Sequence, residues 1–333
     1  MAGTRKKSSR GGTLSVANGT SDGASTARGV RHFTSLFSLN AEEAKELLDR
    51  TLRLKAGELN DHRTSLLLGR TLGLLFEKPS LRTRVSFEAA MARLGGNSIF
   101  LRGKDVGLGV RESIADFARV ISQYVDVLAV RTFAQSVVEE LAQYATIPVI
   151  NALSDASHPC QAMADMVTIH EHRGKLAGQK LVFVGDGNNV ARSLAVGSAL
   201  LGVEFVLTSP AGYEFPAEFC KRFAARFAGR EPAQERDPRK AVKGADVVYT
   251  DVWASMGQEN EADARREVFR PYQVNETLFA KARADAIFLH CLPAHRGEEV
   301  STGVLDGPHS RVIPQAANRM HFQTALLLWL LGH

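Results

Sequence analysis

The stretch from Thr71 to Leu101 constrains the fold more than any other, because it reads as a strand, a helix and a second strand in direct succession. Thr71–Phe76 and Ser98–Leu101 are largely apolar runs of strand length. Between them, apolar side chains recur at the spacing of one helical face, at Val85, Phe87, Ala90, Met91 and Leu94. Strand, helix and strand form a βαβ unit, so we expect this part of the chain to build a sheet of parallel strands.

The second half of the chain repeats this pattern. Lys180–Val184 has the continuous apolar character of a buried parallel strand, and it is followed by the turn Gly185–Asn189 and a helix from Val190. Further strands are expected at Val125–Val130, Pro148–Ala152, Glu204–Leu207, Asp246–Thr250 and Asp285–Leu289. The expected fold class is α/β, with two doubly wound parallel-sheet domains that are flanked by helices and joined by interdomain helices.

A chain of 333 residues is longer than one hydrophobic core usually supports, which suggests two domains. Residues 1–29 are rich in Ser, Gly and Thr with scattered basic residues, so we expect a disordered basic tail there. The first domain is expected at residues 30–174, completed by a C-terminal helix at residues 315–333. The second domain is expected at residues 175–314.

The formal net charge of +5 is concentrated in the tail. Within residues 1–30, five basic residues face a single acidic residue, Asp22, so the rest of the chain carries only +1. A nearly neutral body argues against a broad surface for nucleic acid and favours a few arginines gathered around one small anion. No apolar run reaches the length of a membrane span. We therefore expect a protein that binds neither nucleic acid nor a membrane.

The three cysteines give no sign of a metal site or a disulfide. Cys160, Cys220 and Cys291 lie far apart, without a C-x-x-C motif or the spacing of metal ligands. Reduced thiols in a cytoplasmic protein are the simplest interpretation. The expected protein is therefore cytoplasmic and holds no metal.

The turn between the first strand and its helix predicts a binding site for an anion. Pro79 suits the first turn of a helix, where its missing N–H does no harm, and Ser80 and Thr83 place hydroxyl groups among the free N–H groups of that turn. Arg82 and Arg84 add guanidinium groups, whose planar donors suit phosphate. The alternative interpretation is a capped helix with two solvated arginines, since matches of four residues are common by chance.

Several segments identify a family. Ser80-Leu81-Arg82-Thr83-Arg84 resembles the phosphate-binding motif Ser-Thr-Arg-Thr-Arg of the aspartate/ornithine carbamoyltransferases. His158-Pro159-Cys160-Gln161 and His290-Cys291-Leu292-Pro293-Ala294-His295-Arg296-Gly297 match two further motifs of that family in the expected order. The loop from Asp251 to Gly257, with Ser255-Met256-Gly257 at its end, resembles the loop of the ornithine-using members. The resemblance covers roughly residues 31–333.

The resemblance implies a reaction and a set of site residues. Carbamoyl phosphate would pass its carbamoyl group to the δ-amino group of L-ornithine, giving L-citrulline and phosphate in arginine metabolism, with biosynthesis as the expected direction. No cofactor and no metal are implied, and the family pattern implies a homotrimer or a multiple of trimers. Carbamoyl phosphate would be bound by Ser80, Leu81, Arg82, Thr83, Arg131, His158, Gln161, Cys291, Leu292 and Arg319. Ornithine would be bound by Asn189, Asp251, Ser255 and Met256. The implied catalytic residues are Arg131, His158 and Cys291.

Three alternatives remain open. The turn Gly185–Asn189 could bind a dinucleotide, although G-D-G-N-N-V lacks the third glycine of G-x-G-x-x-G. A putrescine or N-acetylornithine carbamoyltransferase is the nearest rival, but Asp251 suits a free ammonium and Asn189 suits a carboxylate. A non-catalytic homologue is the third, because Leu81 stands where ornithine enzymes usually have Thr and Gly107 where relatives tend to have Gln or His.

Overall fold

Two sheets, each made only of parallel strands, organise the part of the chain that the computed structural model describes, which is residues 1, 3, 29–58, 63–254 and 259–333. The first sheet contains β1 (Thr71–Phe76), β2 (Asn97–Arg102), β3 (Val127–Arg131) and β4 (Val149–Leu153). Its strands lie in the order β2-β1-β3-β4. The βαβ unit predicted from Thr71 to Leu101 is therefore confirmed, with β1 and β2 paired in parallel.

The second sheet contains β5 (Lys180–Val184), β6 (Glu204–Thr208), β7 (Ala233–Gln234), β8 (Val247–Thr250) and β9 (Ile287–His290). Its order is β7-β6-β5-β8-β9, and every pair is parallel. All five further strands that the apolar runs predicted are present within one or two residues. The α/β fold class, with two parallel sheets flanked by helices, is confirmed.

Helices connect the strands and cover both faces of each sheet. Within the described residues they are α1 (Ala41–Lys55), α2 (Leu81–Arg93), α3 (Gly103–Val106), α4 (Ile114–Ile121), α5 (Gln135–Tyr144), α6 (Pro159–Arg173), α7 (Asn189–Leu201), α8 (Ala217–Arg226), α9 (Pro238–Val242), α10 (Ala262–Phe269), α11 (Glu276–Phe279), α12 (Thr302–Leu305) and α13 (Val312–Leu330). Short 3₁₀ turns lie at Leu36–Ser38, Arg63–Ser65, Glu259–Glu261 and Arg270–Tyr272.

The start of α2 is fixed by Ser80. Its side chain is the N-cap and accepts a hydrogen bond from the Thr83 backbone N–H at 3.4 Å, which satisfies one of the N–H groups that the first turn leaves free. Pro79 lies before this cap, so its predicted place inside the first turn is wrong by two positions. Every residue in the first turn of α2 consequently has a backbone N–H group.

The order of the strands places a crevice at the carboxyl ends of both sheets. β1 lies between β2 and β3, and a reversal of this kind opens a crevice where ligands bind. The carboxyl ends of β1 and β3 are the register partners Phe76 and Arg131. In the second sheet the reversal lies between β5 and β8, where Val184 pairs with Thr250 and Asp251 follows.

The C-terminal helix α13 joins the last strand to the first half of the molecule. It packs against α1, α2 and α6, and it also contacts β9. Its buried side chains Phe322 and Leu326 belong to an apolar cluster that includes Leu74 of β1 and Phe183 of β5. Because this helix is held on both sides, its buried residue Arg319 has a fixed position beside α2.

No helix in the described ranges is both long enough and apolar enough to cross a membrane. The predicted basic tail, residues 1–29, falls outside the described part of the chain apart from residues 1, 3 and 29.

Gly95 ends α2, and its replacement tests how tightly this helix is held. Its φ is +82°, and a Cβ there would overlap the carbonyl oxygen of Thr64. We expect Gly95→Ala to lower the free energy of unfolding by about 2–5 kcal/mol, the combined cost of a left-handed alanine and a steric clash. Gly69 has φ +79° with open space around a Cβ, so Gly69→Ala is the matched control and should cost about 1–2 kcal/mol. Urea denaturation compares the two variants, and equal losses would contradict the clash.

Candidate active site

A cleft of about 1070 Å³ lies between the carboxyl ends of the two sheets. The predicted site residues that line it are Ser80, Leu81, Arg82, Thr83, Arg131, His158, Asn189, Asp251, Cys291, Leu292 and Arg319. Gln161 is buried just beneath this surface. Ser255 and Met256 lie outside the described residues. The structure therefore brings together residues that are far apart in the chain, at one place large enough for two small substrates.

Hydroxyl and guanidinium groups gather at the start of α2. Ser80 Oγ donates to Thr83 Oγ1 at 3.0 Å, and Arg319 Nη2 donates to the same oxygen at 2.7 Å. The Thr83 oxygen accepts both bonds, so its own proton points away from both donors. Leu81 is 77% exposed and contributes its backbone N–H to the first turn rather than a polar side chain. The turn thus presents backbone donors, hydroxyls and positive charge in one place, which is the arrangement that binds an anion.

Arg84 does not contribute to this arrangement. Its Nε donates to Glu88 at 2.8 Å, and its guanidinium carbon lies 4.0 Å from the centroid of the Phe100 ring. The prediction that Arg84 adds charge to the anion site is therefore wrong. Since Arg82 and Arg84 are two residues apart in a helix, they point in different directions, and only Arg82 lines the cleft.

Five arginines line the cleft, and three of them, Arg82, Arg131 and Arg319, repel one another. Arg131, the last residue of β3, is 5% exposed, and burial together with repulsion from Arg319 and Arg82 lowers the pKa of its guanidinium to about 10. The pKa of Arg319 is also lowered, mainly by burial. Among the described residues, neither Arg131 nor Arg319 has a carboxylate within ion-pair distance. Buried positive charge without a partner is costly, so this site favours a ligand of negative charge.

His158 is a neutral imidazole beside these arginines. Burial, followed by repulsion from Arg319 and Arg131, holds its pKa well below the ordinary value. Its backbone N–H donates to Ser193 Oγ at 2.8 Å, which fixes it between α6 and α7. Its Nδ1 is buried and has no hydrogen-bond partner among the described residues. A neutral imidazole can donate one hydrogen bond to a ligand without adding a further charge.

Gln161 lies one turn into α6, below His158. Its Nε2 donates to Asp165 Oδ1 at 2.8 Å. Its Oε1 is buried and has no hydrogen-bond partner within the described part of the chain. A buried carbonyl oxygen without a donor is uncommon in folded proteins, and it often marks a place where a ligand completes the hydrogen bonding.

The segment after β9 has an unusual backbone. Leu292 has φ +58° and is joined to Pro293 by a cis peptide bond. The Leu292 N–H donates to His290 Nδ1 at 2.9 Å, and His290 Nε2 donates to the buried Glu299 at 3.1 Å. A left-handed leucine is strained unless its surroundings hold it, and such strain is concentrated at functional sites. The hydrogen bond to Glu299 fixes the His290 imidazole, which in turn accepts from the Leu292 N–H and stabilises this conformation.

The Asp251 carboxylate accepts hydrogen bonds from several groups on the side of the cleft that follows the second sheet. Its Oδ1 accepts from Cys291 Sγ at 3.0 Å and from the Val252 N–H at 2.8 Å. Its Oδ2 accepts from Asn188 Nδ2 at 2.9 Å. Asn188, which the motifs did not single out, is also the N-cap of α7. Asn189 Nδ2 donates across the cleft to the Ser154 carbonyl oxygen at 2.6 Å, so one of its two N–H groups is already engaged.

The glycine turn after β5 is explained by packing within the chain. A Cβ at Gly187 would lie 2.7 Å from the backbone of Glu214, so only glycine allows this approach. Asp186 forms an ion pair with the buried Arg265. Arg265 belongs to none of the sequence motifs, and only the structure shows that it lies near the cleft. A close approach of two backbones accounts for the glycine without a bound dinucleotide.

Gly107, which departs from the family pattern, lies outside the cleft-lining set. It ends α3 with φ +65°, and a Cβ there would lie 2.8 Å from the Arg111 side chain. Local backbone geometry therefore accounts for glycine at this position.

Within the described residues, two groups of side chains each offer three possible metal-ligating atoms. They are Asp251, His290 and Cys291, and His295, Glu298 and Glu299. In the first group, all three residues already use their possible ligand atoms in the hydrogen bonds described above. In the second, Glu298 is also paired with Arg266 at 3.2 Å. The chemistry of the cleft can be built from its arginines, imidazole and amides.

Comparison with known proteins identifies the same family in both halves of the chain. Residues 31–171 match the carbamoyl-P binding domain and residues 177–330 the Asp/Orn binding domain of the aspartate/ornithine carbamoyltransferases. The ornithine carbamoyltransferase of Anoxybacillus flavithermus is 52% identical over 304 residues, covering 90% of this chain and 96% of that protein. A relative from Pyrococcus furiosus, named as the anabolic ornithine carbamoyltransferase, is 50% identical over 305 residues, covering 91% of this chain and 96% of that protein. A solved structure of the ornithine carbamoyltransferase from Pyrococcus furiosus matches with a TM-score of 0.84 at 51% identity, covering 90% of this chain and 96% of that chain.

The reactivity of the three thiols tests the environment of Cys291. Burial raises the pKa of Cys160 to about 12, and burial together with the Asp251 carboxylate raises that of Cys291 well above the ordinary value. Only the thiolate reacts with alkylating agents, so iodoacetamide at pH 8 should label the partly exposed Cys220 first. Peptide mass mapping over time measures the three rates, with protein unfolded in urea as the control in which all three react alike. Labelling of Cys291 as fast as Cys220 would contradict this assignment.

Proposed function

Because the chain belongs to the aspartate/ornithine carbamoyltransferase family, we propose that it transfers the carbamoyl group of carbamoyl phosphate to the δ-amino group of L-ornithine, giving L-citrulline and phosphate. Relatives with about half of their residues in common carry the name ornithine carbamoyltransferase over nearly their whole length. The observation that carries the proposal is the pair of buried arginines, Arg131 and Arg319, beside the open first turn of α2. These groups match a phosphorylated substrate in charge and in donor geometry.

The phosphate is proposed to bind at the start of α2. Ser80 and Thr83 supply hydroxyl groups, and the Leu81 backbone supplies an N–H group. Arg82 and Arg319 supply charge, and both line the cleft. As the bond between carbon and oxygen breaks, negative charge grows on the leaving phosphate, so these donors stabilise the departing group more than the bound substrate.

The carbonyl oxygen is proposed to face Thr83, Arg131 and His158. The amine attacks the carbonyl carbon, and negative charge develops on this oxygen before phosphate leaves. Arg131 provides a fixed charge, while neutral His158 provides a hydrogen bond without repelling the arginines further. Donors arranged in advance around a developing oxyanion are usually the largest contribution to catalysis of this kind.

The carbamoyl nitrogen is proposed to contact Gln161, Cys291 and the backbone of Leu292. The Gln161 carbonyl oxygen has no hydrogen-bond partner among the described residues, and Leu292, whose backbone is left-handed, lines the cleft. Both features suit acceptance of hydrogen bonds from an amide nitrogen. Recognition of this nitrogen would distinguish carbamoyl phosphate from other acyl phosphates.

Ornithine is proposed to bind from the second domain. Asn189 would contact the α-carboxylate and Asp251 the α-ammonium, while Cys291, bonded to Asp251, would orient the δ-amino group. Ser255 and Met256 would complete the site from the loop that lies outside the described residues. Closure over the δ-amino group would favour its neutral, nucleophilic form, because a charged amine is disfavoured when water is excluded.

The domain assignment follows the same division. We propose that residues 30–174, with the C-terminal helix at 315–333, bind carbamoyl phosphate and that residues 175–314 bind ornithine. The family matches at residues 31–171 and 177–330 support a boundary near residue 175, although the second match includes residues 315–330. Direct contacts of α13 with α1, α2 and α6 support its assignment to the first domain.

We further propose a cytoplasmic homotrimer, or a multiple of trimers, that works in arginine biosynthesis without a cofactor. Large apolar side chains are exposed in the first half of the chain, including Leu81, Val85, Ile99 and Val110. Exposed apolar surface of this kind is typical of a subunit interface. The relative named as anabolic supports the biosynthetic direction.

The choice of amine tests the proposed reaction. Purified protein with carbamoyl phosphate should form citrulline from L-ornithine, and it should carbamoylate putrescine, N-acetylornithine and L-aspartate at least about 100-fold less efficiently. Putrescine lacks the carboxylate that Asn189 would bind, N-acetylornithine lacks the ammonium that Asp251 would bind, and L-aspartate has a side-chain carboxylate in place of the δ-amino group. Colorimetric detection of the ureido product measures all four reactions. Preferred turnover of putrescine or N-acetylornithine would contradict the proposal and identify that amine as the substrate.

Two arginines of α2 offer a matched pair of variants. Arg82→Ala should lower kcat/KM by about 100-fold or more, because a charged donor to the phosphate is removed. Arg84→Ala should leave kcat/KM within about 3-fold, because Arg84 contacts Glu88 and Phe100 instead of the cleft. Steady-state kinetics with citrulline detection compares the two variants. Substantial activity in Arg82→Ala would show that the phosphate site is misplaced.

A further inference from the structure

A buried carboxylate lies under the proposed carbamoyl site. Asp165, one turn after Gln161 in α6, is fully buried. Its Oδ1 accepts from Gln161 Nε2 at 2.8 Å and from Gln315 Nε2 at 2.7 Å. Its Oδ2 accepts from Tyr249 Oη at 3.1 Å. The carboxylate therefore joins side chains of α6, α13 and β8, and none of the motifs singled it out.

The two oxygens of Asp165 have different roles. Both glutamine amides contact Oδ1, and only the Tyr249 hydroxyl contacts Oδ2. Burial raises the pKa of Asp165 to about 7, while the three hydrogen bonds partly offset that rise. A proton bound at Oδ2 would point to the tyrosine oxygen and leave Oδ1 an acceptor. Oδ1 thus requires an N–H group from each glutamine whether or not the carboxyl is ionised.

Because Asp165 Oδ1 needs an N–H donor from each glutamine, the carbonyl oxygens of the Gln161 and Gln315 amides must point away from it. Since Gln315 turns its Nε2 to Asp165, its Oε1 accepts from the His290 backbone N–H at 2.9 Å, directly before Cys291. Since Gln161 turns its Nε2 to Asp165, its Oε1 points elsewhere, and it has no hydrogen-bond partner in the described part of the chain. Gln161 lies three residues after His158, on the same face of the first turn of α6, and His158 lines the cleft.

We propose that Asp165 is a positioning residue that fixes the Gln161 amide with its carbonyl oxygen towards the carbamoyl nitrogen, so that the enzyme selects an amide donor over an acyl phosphate with a methyl group. The inference rests on the proposed function, because it concerns recognition of the same substrate. A carbamoyl nitrogen has two N–H donors and needs acceptors, whereas the N–H side of a reversed glutamine would repel it. Asp165 acts through Gln161 and does not touch the substrate.

A purely structural role makes a different prediction. If Asp165 only holds α6, α13 and β8 together, its loss should weaken binding of every ligand of the cleft to a similar degree. If it positions Gln161, its loss should weaken only ligands that carry the amide nitrogen. The test must therefore compare two ligands that differ at this one group.

Phosphonoacetamide and 2-oxopropylphosphonate form such a pair, since they share a phosphonate and a carbonyl and differ in carrying an NH₂ or a methyl group. Calorimetric titration of the full-length protein should show that the wild type binds the amide roughly 10-fold or more tighter than the ketone, as expected for one or two buried hydrogen bonds. In Asp165→Leu this ratio should fall to about one, with binding of the ketone and of inorganic phosphate kept within about 3-fold of the wild type.

Two further variants separate positioning from general disruption. Asp165→Asn should retain the ratio, because its carbonyl oxygen can accept from both glutamines while its NH₂ group donates to Tyr249. Tyr249→Phe should also retain the ratio, because it removes the contacts of the hydroxyl with Asp165 Oδ2 and Gln315 Nε2 but leaves the Gln161 contact with Oδ1 in place. An unchanged ratio in Asp165→Leu, or its loss in Asp165→Asn, would overturn the proposal.

Failure of the proposed function would be recognised separately. A wild-type protein that forms no citrulline and binds neither phosphonate would refute the function, and the role of Asp165 would fall with it. If Asp165→Leu does not fold, a neutron crystal structure of the wild type decides the question. Deuterium on the Gln161 atom that faces Asp165 is the expected result, and deuterium on the atom that faces the cleft would overturn the proposal.

Discussion

Buried positive charge without a carboxylate partner in the described part of the chain is the constraint on which the site depends. Arg131 and Arg319 are buried next to the first turn of α2, where the helix dipole already favours an anion. Burial and mutual repulsion lower the pKa of Arg131, so the unliganded cleft carries an unfavourable electrostatic energy. A dianion relieves that energy, which explains how a small phosphorylated substrate could be bound without a metal ion among its contacts.

The topology explains how such distant residues reach one place. Each sheet reverses its strand order once, and the carboxyl ends at the two reversals face a common cleft. Arg131 and Asp251 both lie at such ends. The helix α13, near the end of the chain, places Arg319 at the start of α2, where the Arg319 side chain donates a hydrogen bond to Thr83. The fold thus combines the proposed anion site at one sheet with the proposed amino-acid site at the other.

Much of this could be predicted from the sequence, and the remainder could not for physical reasons. Buried parallel strands are continuous apolar runs, so β1 to β6, β8 and β9 were predictable, whereas the two exposed residues of β7 carry no such pattern. The Ser80 and Thr83 hydroxyls at the start of α2 were likewise evident, whereas Ser80 as the N-cap was not, because Pro79 suggested an earlier helix start. The direction of Arg84, the left-handed Leu292 and the contacts of Asn188 depend on neighbours far along the chain. Asp165 is hidden for the same reason, because its partners Tyr249 and Gln315 are distant in sequence.

The most direct test of this account is a crystal structure of the protein with carbamoyl phosphate bound. The account predicts that the phosphate lies at the first turn of α2 within hydrogen-bond distance of Arg82 and Arg319, and that the carbonyl oxygen faces Arg131 and His158. Carbamoyl phosphate bound at another position, or a complex in which Arg131, His158 and Arg319 point away from it, would contradict the central claim.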